Sequence, residues 1–338
     1  MIAFEQYLNQ ILGKKVIRPI YNEQGELLIP KQTIITYEHV IMLVEQQMTL
    51  TDQDVTDEGF EQHYLMIDET VEQVGDIFDT VRKTKKIPLA ELHKDIIPMI
   101  HQASHDHQLL HLFAALHAKD DYTYRHNIAV AALANLIGHW MKLPRQELLQ
   151  LTTAALLHDI GKMLIPEHIL NKPGRLTDEE FDMMKKHTIY GYQLLKDTVG
   201  ITNRQALVAL QHHERIDGSG YPFGLKKNKI DLFSRIVAVA DIVHAMTSKR
   251  VYRDPAPFYE VLWQMEKDMF GALDPYMTRL FIEKTMNGLI GYTVQLTDDR
   301  IGKILVVPPH DPTRPLVQVG QQFIDLSRES EIRIEKIY

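Results

Sequence analysis

The sequence predicts a mainly α-helical chain with a small α/β module at its N-terminus and a small β-rich module at its C-terminus. Three observations carry this. Apolar residues recur at three- and four-residue steps through the middle of the chain, short strand-like runs punctuated by turns open it, and loosely alternating segments close it. Composition agrees: 338 residues, 45% apolar and 24% charged, suit a folded chain of two or three domains.

From the start, 15–20 reads as a short strand, 22–25 as a turn, and Leu27, Leu28 and Ile29 as a second strand before Pro30. A helical stretch over 37–46 completes a module at 1–57. Over 58–83, Leu65, Ile67, Val71, Val74, Ile77, Phe78 and Val81 lie on one helical stripe, and Pro88 ends it. Helices over 90–101 and 105–118 complete a connector at 58–118. The segment 119–286 is helical throughout, with helices expected at 127–141, 147–158, 178–196, 204–213, 234–248 and 257–269. Thr177, followed by Asp178, Glu179 and Glu180, is a helix-start signal. Gly/Pro-rich loops at 171–174 and 217–222 separate these helices. Beyond Asn287-Gly288, the runs 292–296, 301–307, 323–326 and 332–334 and a loop with four prolines read as the β-rich module at 287–338.

The exclusions are chemical. No cysteine is present, which removes disulfides, thiol catalysis, iron–sulfur clusters and cysteine-ligated zinc. A net charge of −8 disfavours nucleic-acid polymers and anionic membrane surfaces as partners. The start has no basic segment leading into an apolar one, and the uncharged run 126–141 is shorter than the ~20 residues of a membrane span. A cytoplasmic protein is expected.

There are 17 histidines, and placement decides what they mean. The central block holds His126, His158-Asp159, His187, His212-His213-Glu214 and Asp241, most of them near predicted helix ends. Facing helices can bring such residues into one core. His158 and Asp159 are adjacent, so on a regular helix they point about 100° apart. That suits two ions, with the carboxylate bridging and the imidazole serving one. Imidazole and carboxylate without thiolate fit Fe, Mn or Zn. Two such ions would activate a water to hydroxide near neutral pH and clamp a phosphoryl group for in-line attack. A second histidine group, His101, His105, His107, His111 and His117, has no matching carboxylate, and a solvent-facing amphipathic helix explains it.

Longer motifs surround the central set: His158-Asp159-Ile160-Gly161-Lys162; Leu170-Asn171-Lys172-Pro173-Gly174; His187 with Gly191; His212-His213-Glu214 through Asp217-Gly218-Ser219-Gly220-Tyr221-Pro222; Arg235 to Asp241; and Thr247 to Arg253. The segment 119–286 thereby resembles the HD-GYP domains of the HD phosphohydrolase superfamily. The resemblance implies an HD-type helical bundle and a metal-dependent phosphodiesterase of cyclic di-GMP, with pGpG as the first product and GMP left open as the product of a second turn. The N-terminal run Ile17-Arg18-Pro19-Ile20-Tyr21-Asn22 is similar to a small leader module fused to such domains. By resemblance, the ligands are His126, His158, Asp159, His187, His212, His213 and Asp241, with Asp159 bridging two divalent transition-metal ions, Fe or Mn before Zn. Lys162 would meet a phosphate oxygen, where an ammonium stabilises developing charge. Tyr221 would shape the cleft. Arg250 and Arg253 would hold the dinucleotide, as a guanidinium fork can.

Two positions depart from the family pattern. Tyr122 stands where three-metal members have a Glu, so two ions are expected rather than three. His244 stands three residues after Asp241, where an Asp is usual. It could remove a general acid, replace it with imidazole, or add a metal nitrogen. Competing readings are a phosphohydrolase of another nucleotide and a non-catalytic sensor or scaffold that binds the messenger. A homodimer and signalling partners acting through the end modules are the remaining partner expectations.

Overall fold

Short apolar runs broken by proline, asparagine and glycine can pair only as short strands. In the computed structural model of the chain these are β1 (Lys15–Val16), β2 (Ile20–Tyr21), β3 (Leu27–Ile29) and β4 (Val55–Thr56), with β1 antiparallel to β4 and β2 to β3. Val16, Ile20, Ile29 and Val55 bury their side chains with Leu43 and Leu50 in one small core. The structure describes residues 11–105, 122–247, 258–268 and 271–337, except 12–13, 23, 26, 32, 34, 36–38, 40–41, 45, 47, 52, 57 and 330; at 58–68, 102, 103, 105, 122, 123, 258 and 268 it describes the backbone. Most of the helices expected at 37–46 and 105–118 fall outside these residues.

Helix α1 (Glu58–Thr84) buries Val71, Val74, Phe78 and Val81, the apolar stripe read from the sequence. Helix α2 runs from Leu89 to His105 and contains one π-helical turn at Leu92–Ile96. Then come α3 (Tyr122–Trp140), α4 (Arg145–Leu156), a 3₁₀ turn (Ile160–Leu164), α5 (Glu167–Leu170), α6 (Asp178–Lys185), α7 (His187–Lys196), α8 (Asn203–Gln211), α9 (Leu232–Thr247), α10 (Phe258–Asp268) and α11 (Pro275–Gly288). The inner helices are α3 and α9, whose small and apolar residues Ala129–Ala134 and Ile236–Ala240 are all buried. A helix apolar on every side belongs in a core.

The chain ends in a five-stranded antiparallel sheet of order β8-β7-β6-β5-β9, formed by β5 (Thr293–Leu296), β6 (Ile301–Val306), β7 (Leu316–Val319), β8 (Gln322–Asp325) and β9 (Ile334–Ile337). By its contacts the chain divides into two units. One is Met1–Asp68 with Ile290–Val306 and Leu316–Tyr338; the other is Glu69–Leu289 with Val307–Pro315. The proline-rich loop belongs to the helical unit because Tyr259 and Glu266 of α10 hydrogen-bond Thr313, and Arg279 of α11 reaches the Pro309 carbonyl. Among the described residues no helix is long and apolar enough to cross a membrane.

Two of the boundaries that differ from the periodic reading place site residues. The helix expected over 147–158 ends at Leu156, so His158 and Asp159 lie in a turn, and their spacing does not follow the 100° step. The helix expected over 178–196 breaks at Lys186. There His187 Nδ1 and Thr188 Oγ1 take the Met184 and Lys185 carbonyls that helix amides would otherwise use.

Candidate metal centre

Helix ends of the helical unit deliver most of the site. His126 comes from inside α3. His158 and Asp159 follow α4, and Lys162 lies in the 3₁₀ turn. His187 opens α7, His212 and His213 follow α8, and Asp241 and His244 sit one turn apart on α9. The 3₁₀ turn lies hard against α7: a Cβ on Gly161 would fall 1.9 Å from the His187 carbonyl oxygen and 2.4 Å from Gly191 N. Only glycine allows that approach, which brings Asp159 beside His187.

Two donor sets result. Asp159, His187, His212 and His213 form one, and His126, His158 and Asp159 the other; within each, one ligand atom per residue lies within 4.8 Å of the rest. Asp159 belongs to both. Its Oδ1 is 3.3 Å from His187 Nε2 and 3.6 Å from His212 Nε2. Its Oδ2 is 3.4 Å from His158 Nε2 and 3.8 Å from His126 Nε2. Asp241 spans the sets, 3.3 Å from His126 Nε2 and 4.0 Å from His213 Nδ1. All seven residues expected as ligands converge here, and Lys162 pairs with Asp159 Oδ2.

The donor atoms suit divalent cations. His158, His187 and His212 each direct Nδ1 at a backbone carbonyl, of Ala155, Met184 and Ala209, at 2.7, 2.7 and 3.0 Å. A carbonyl only accepts, so Nδ1 carries the proton and Nε2 is a lone pair aimed at Asp159. His187 and His212 oppose their Nε2 atoms at 3.4 Å. His158 Nε2 and Asp159 Oδ1 are buried without a hydrogen-bond partner. Acceptors facing acceptors in a buried site call for a cation between them.

Electrostatics points the same way at His187, His212 and His213, and the opposite way at His158. Burial lowers the His187 pKa to about 3 and pushes that of His213 well below its ordinary value, keeping both rings neutral. Burial also lowers His212. For His158 burial is outweighed by the neighbouring Asp159 charge, and its pKa rises. Burial pushes the Asp159 carboxyl up, but Lys162 and His158 hold it well below the carboxylate range; at Asp241 the His126 ring does the same.

The 214–225 loop forms one wall. Glu214, buried, accepts Phe223 N–H and Leu225 N–H, both at 2.8 Å, one on each carboxylate oxygen. Gly220 lies so close to the chain that a Cβ would sit 2.4 Å from the His213 carbonyl oxygen. Tyr221 thereby stacks on His213, with centroids 4.6 Å apart and planes 30° apart. Burial and the Asp159 and Asp241 charges raise the Tyr221 pKa, so its hydroxyl stays a donor. Phe181 of α6 meets the edge of Tyr221 at 6.3 Å while 46% exposed.

Sequence reasoning missed two of these parts. Glu214 was visible in the motif but carried no role, and Phe181 showed only as one aromatic in a charged helix start. His244 is buried, with Nδ1 2.9 Å from His126 Nδ1. Arg250, Arg253, His107, His111 and His117 lie outside the described residues, as do the side chains of Tyr122 and His105. His101 is half-buried rather than solvent-facing as expected. It accepts from Asn135 Nδ2 at 3.0 Å, in a network with Ser104 and Thr152 that ties α2, α3 and α4 together.

Comparison with known proteins follows the same outline. A family profile for the HD domain matches residues 110–275, which contain every member of both donor sets. Residues 110–275 are thus an HD domain. A cyclic di-GMP phosphodiesterase of Pseudomonas aeruginosa is 37% identical over 237 residues, covering 67% of this chain and 57% of that protein. A cyclic di-GMP phosphodiesterase of Thermotoga maritima is 42% identical over 166 residues, 49% of this chain and 45% of that one. A 3′3′-cGAMP-specific phosphodiesterase of Vibrio cholerae is 37% identical over 158 residues, 47% and 34% of the two chains. The chain spans about half the length of the curated relatives it matches. HD-domain proteins are metal-dependent, and the two His/Asp sets of this HD domain can hold metal.

Proposed function

We propose that the chain is a metal-dependent phosphodiesterase that opens cyclic di-GMP to pGpG, with GMP the product of any second turn. One observation supports this above the others: two donor sets share a single carboxylate, Asp159, with Lys162 against it. His126, His158 and Asp159 would hold one ion, and Asp159, His187, His212 and His213 the other, with Asp241 between them. Two ions per chain is the reading, with Fe or Mn before Zn. When bound, such ions polarise a phosphoryl oxygen and lower the pKa of water.

The chain's own residues do the rest. Asp159 orders the imidazoles around its two oxygens. The Lys162 ammonium, partly exposed at the edge of the cluster, donates to a phosphate oxygen as charge builds there. Tyr221 offers its hydroxyl and ring to the bound dinucleotide, held in register by Glu214. Arg250 and Arg253 complete the grip on phosphate and base. His244 stands next to the cluster as the third titratable group of the reading. A doubly charged dinucleotide does not cross a bilayer unaided, so the activity belongs to the cytoplasm. Pairing of two copies and signals entering through the end modules are part of the same reading.

The test is product analysis. The metal-loaded chain is incubated separately with cyclic di-GMP, 3′3′-cGAMP, pGpG, a dNTP and a guanosine polyphosphate, and products are separated by chromatography. Fastest turnover of cyclic di-GMP to pGpG is expected. Preference for 3′3′-cGAMP would move the substrate within the class. Turnover of the mononucleotides alone, or binding without turnover, would overturn the proposal.

A further inference from the structure

Four histidines of the cluster present Nε2 to Asp159, yet one of them is oriented differently. His158, His187 and His212 sit at or just past a helix C-terminus, where the last carbonyls lack amide partners. Each donates Nδ1–H into such a carbonyl. His126 lies within α3, away from a helix C-terminus. Its Nδ1 meets the Nδ1 of His244, 118 residues away, at 2.9 Å, with ring centroids 5.1 Å apart.

Two ring nitrogens at that distance share one proton. If His126 Nε2 is to serve as a lone pair toward Asp159 and Asp241, its Nδ1 must carry the hydrogen and His244 Nδ1 must accept it. We propose that His244 is a positioning residue that fixes the tautomer and ring angle of His126, doing for it what backbone carbonyls do for His158, His187 and His212. This inference rests on the metal reading of the cluster. His244 lies one turn from Asp241 on α9, so a single helix face supplies both a carboxylate beside His126 Nε2 and an acceptor for its Nδ1.

The test uses the full chain, stripped and reloaded with Mn²⁺ or Zn²⁺, with affinity read by competition against a chelator. His244→Leu removes the acceptor while keeping bulk, and His244→Asn restores an acceptor oxygen. Loss of such an outer partner typically costs 10–100-fold in metal affinity. That loss is expected in one of two binding steps for His244→Leu, with substantial recovery in His244→Asn. Imidazole ¹⁵N spectra of the Zn²⁺-loaded chain should show His126 protonated at Nδ1, a signature that mere packing would not produce. Unaltered affinity in a folded His244→Leu chain, or His126 protonated at Nε2, would overturn the proposal and leave the metal reading standing. So would direct ligation by His244. Failure of the unmodified chain to bind either metal would overturn the metal reading itself.

Discussion

Two carboxylates in the helical unit are equally buried, each 2% exposed, and their surroundings are opposite. Asp274 caps α11. Its Oδ1 accepts from the Tyr276 amide at 3.0 Å, and its Oδ2 from Arg235 at 2.7 Å and Lys227 at 3.1 Å. Every strong acceptor position has a protein donor. Asp159 has one ammonium, from Lys162, on one oxygen. Its other oxygen has no hydrogen-bond partner and faces the Nε2 atoms of His187 and His212, which are acceptors too. Both carboxyl groups are held below their ordinary pKa, so charge alone does not tell them apart. What differs is completeness. A carboxylate whose lone pairs are filled by protein donors stabilises a fold; one ringed by acceptors is completed from outside.

The comparison can be broken most sharply at Asp159. Asp159→Asn replaces one acceptor oxygen by a donor that the imidazoles cannot accommodate around a cation. Hydrolysis should fall by roughly a thousandfold or more, since the ions supply several kcal/mol of transition-state stabilisation. Steady-state rates on cyclic di-GMP measure it. Lys162→Ala should leave bound metal in place, while turnover at saturating substrate falls roughly tenfold to thousandfold, as when one charge-stabilising donor is lost. An unchanged rate would return Lys162 to the role of a simple partner of Asp159.

Glu214 resembles Asp274 in being complete, since each of its oxygens takes one backbone amide. Glu214→Gln should cost about 1–3 kcal/mol by setting an NH₂ against a buried N–H. It should also raise KM more than it lowers kcat, because the loop it holds carries Tyr221 and no ligand to metal. Denaturant unfolding and steady-state kinetics separate the two effects.

The smallest effect is expected at Asp274. Burial pushes its carboxyl up, but hydrogen bonds and charge from Arg235 and Lys227 pull it below 3.8. A folded-state pKa below the unfolded one stabilises fully above pH ~3.8 and loses that contribution as pH falls through the folded value. Asp274→Asn keeps the helix cap and should cost about 1–2 kcal/mol at neutral pH. The gap to the unmodified chain should close in acid. No gap at neutral pH would show that capping, not charge, is what Asp274 contributes.

Local patterns were legible in the sequence, and contacts between distant segments were not. Thr177 and Glu180 announce a helix start, and they form a reciprocal capping box whose Glu180 also pairs with Lys172. The seven expected ligand positions followed from motif resemblance, and the structure brings their side chains together. The break at Lys186 was hidden because the residues around it have good helical periodicity; side-chain capture of two carbonyls decides it. His101 looked like part of a solvent-facing stripe because its partner Asn135 is 34 residues away. The pairing of His126 with His244 spans 118 residues, and no periodicity reports it.

In the proposed centre Asp159 serves two ions at once. The direct measurement is metal stoichiometry, by titrating the stripped chain and its Asp159→Ala variant with Mn²⁺ and counting bound ions by elemental analysis after desalting. Two ions per unmodified chain and loss of both in the variant are expected, because the two donor sets have that residue in common. A variant that keeps both ions, or an unmodified chain that binds one ion or three, would contradict the account.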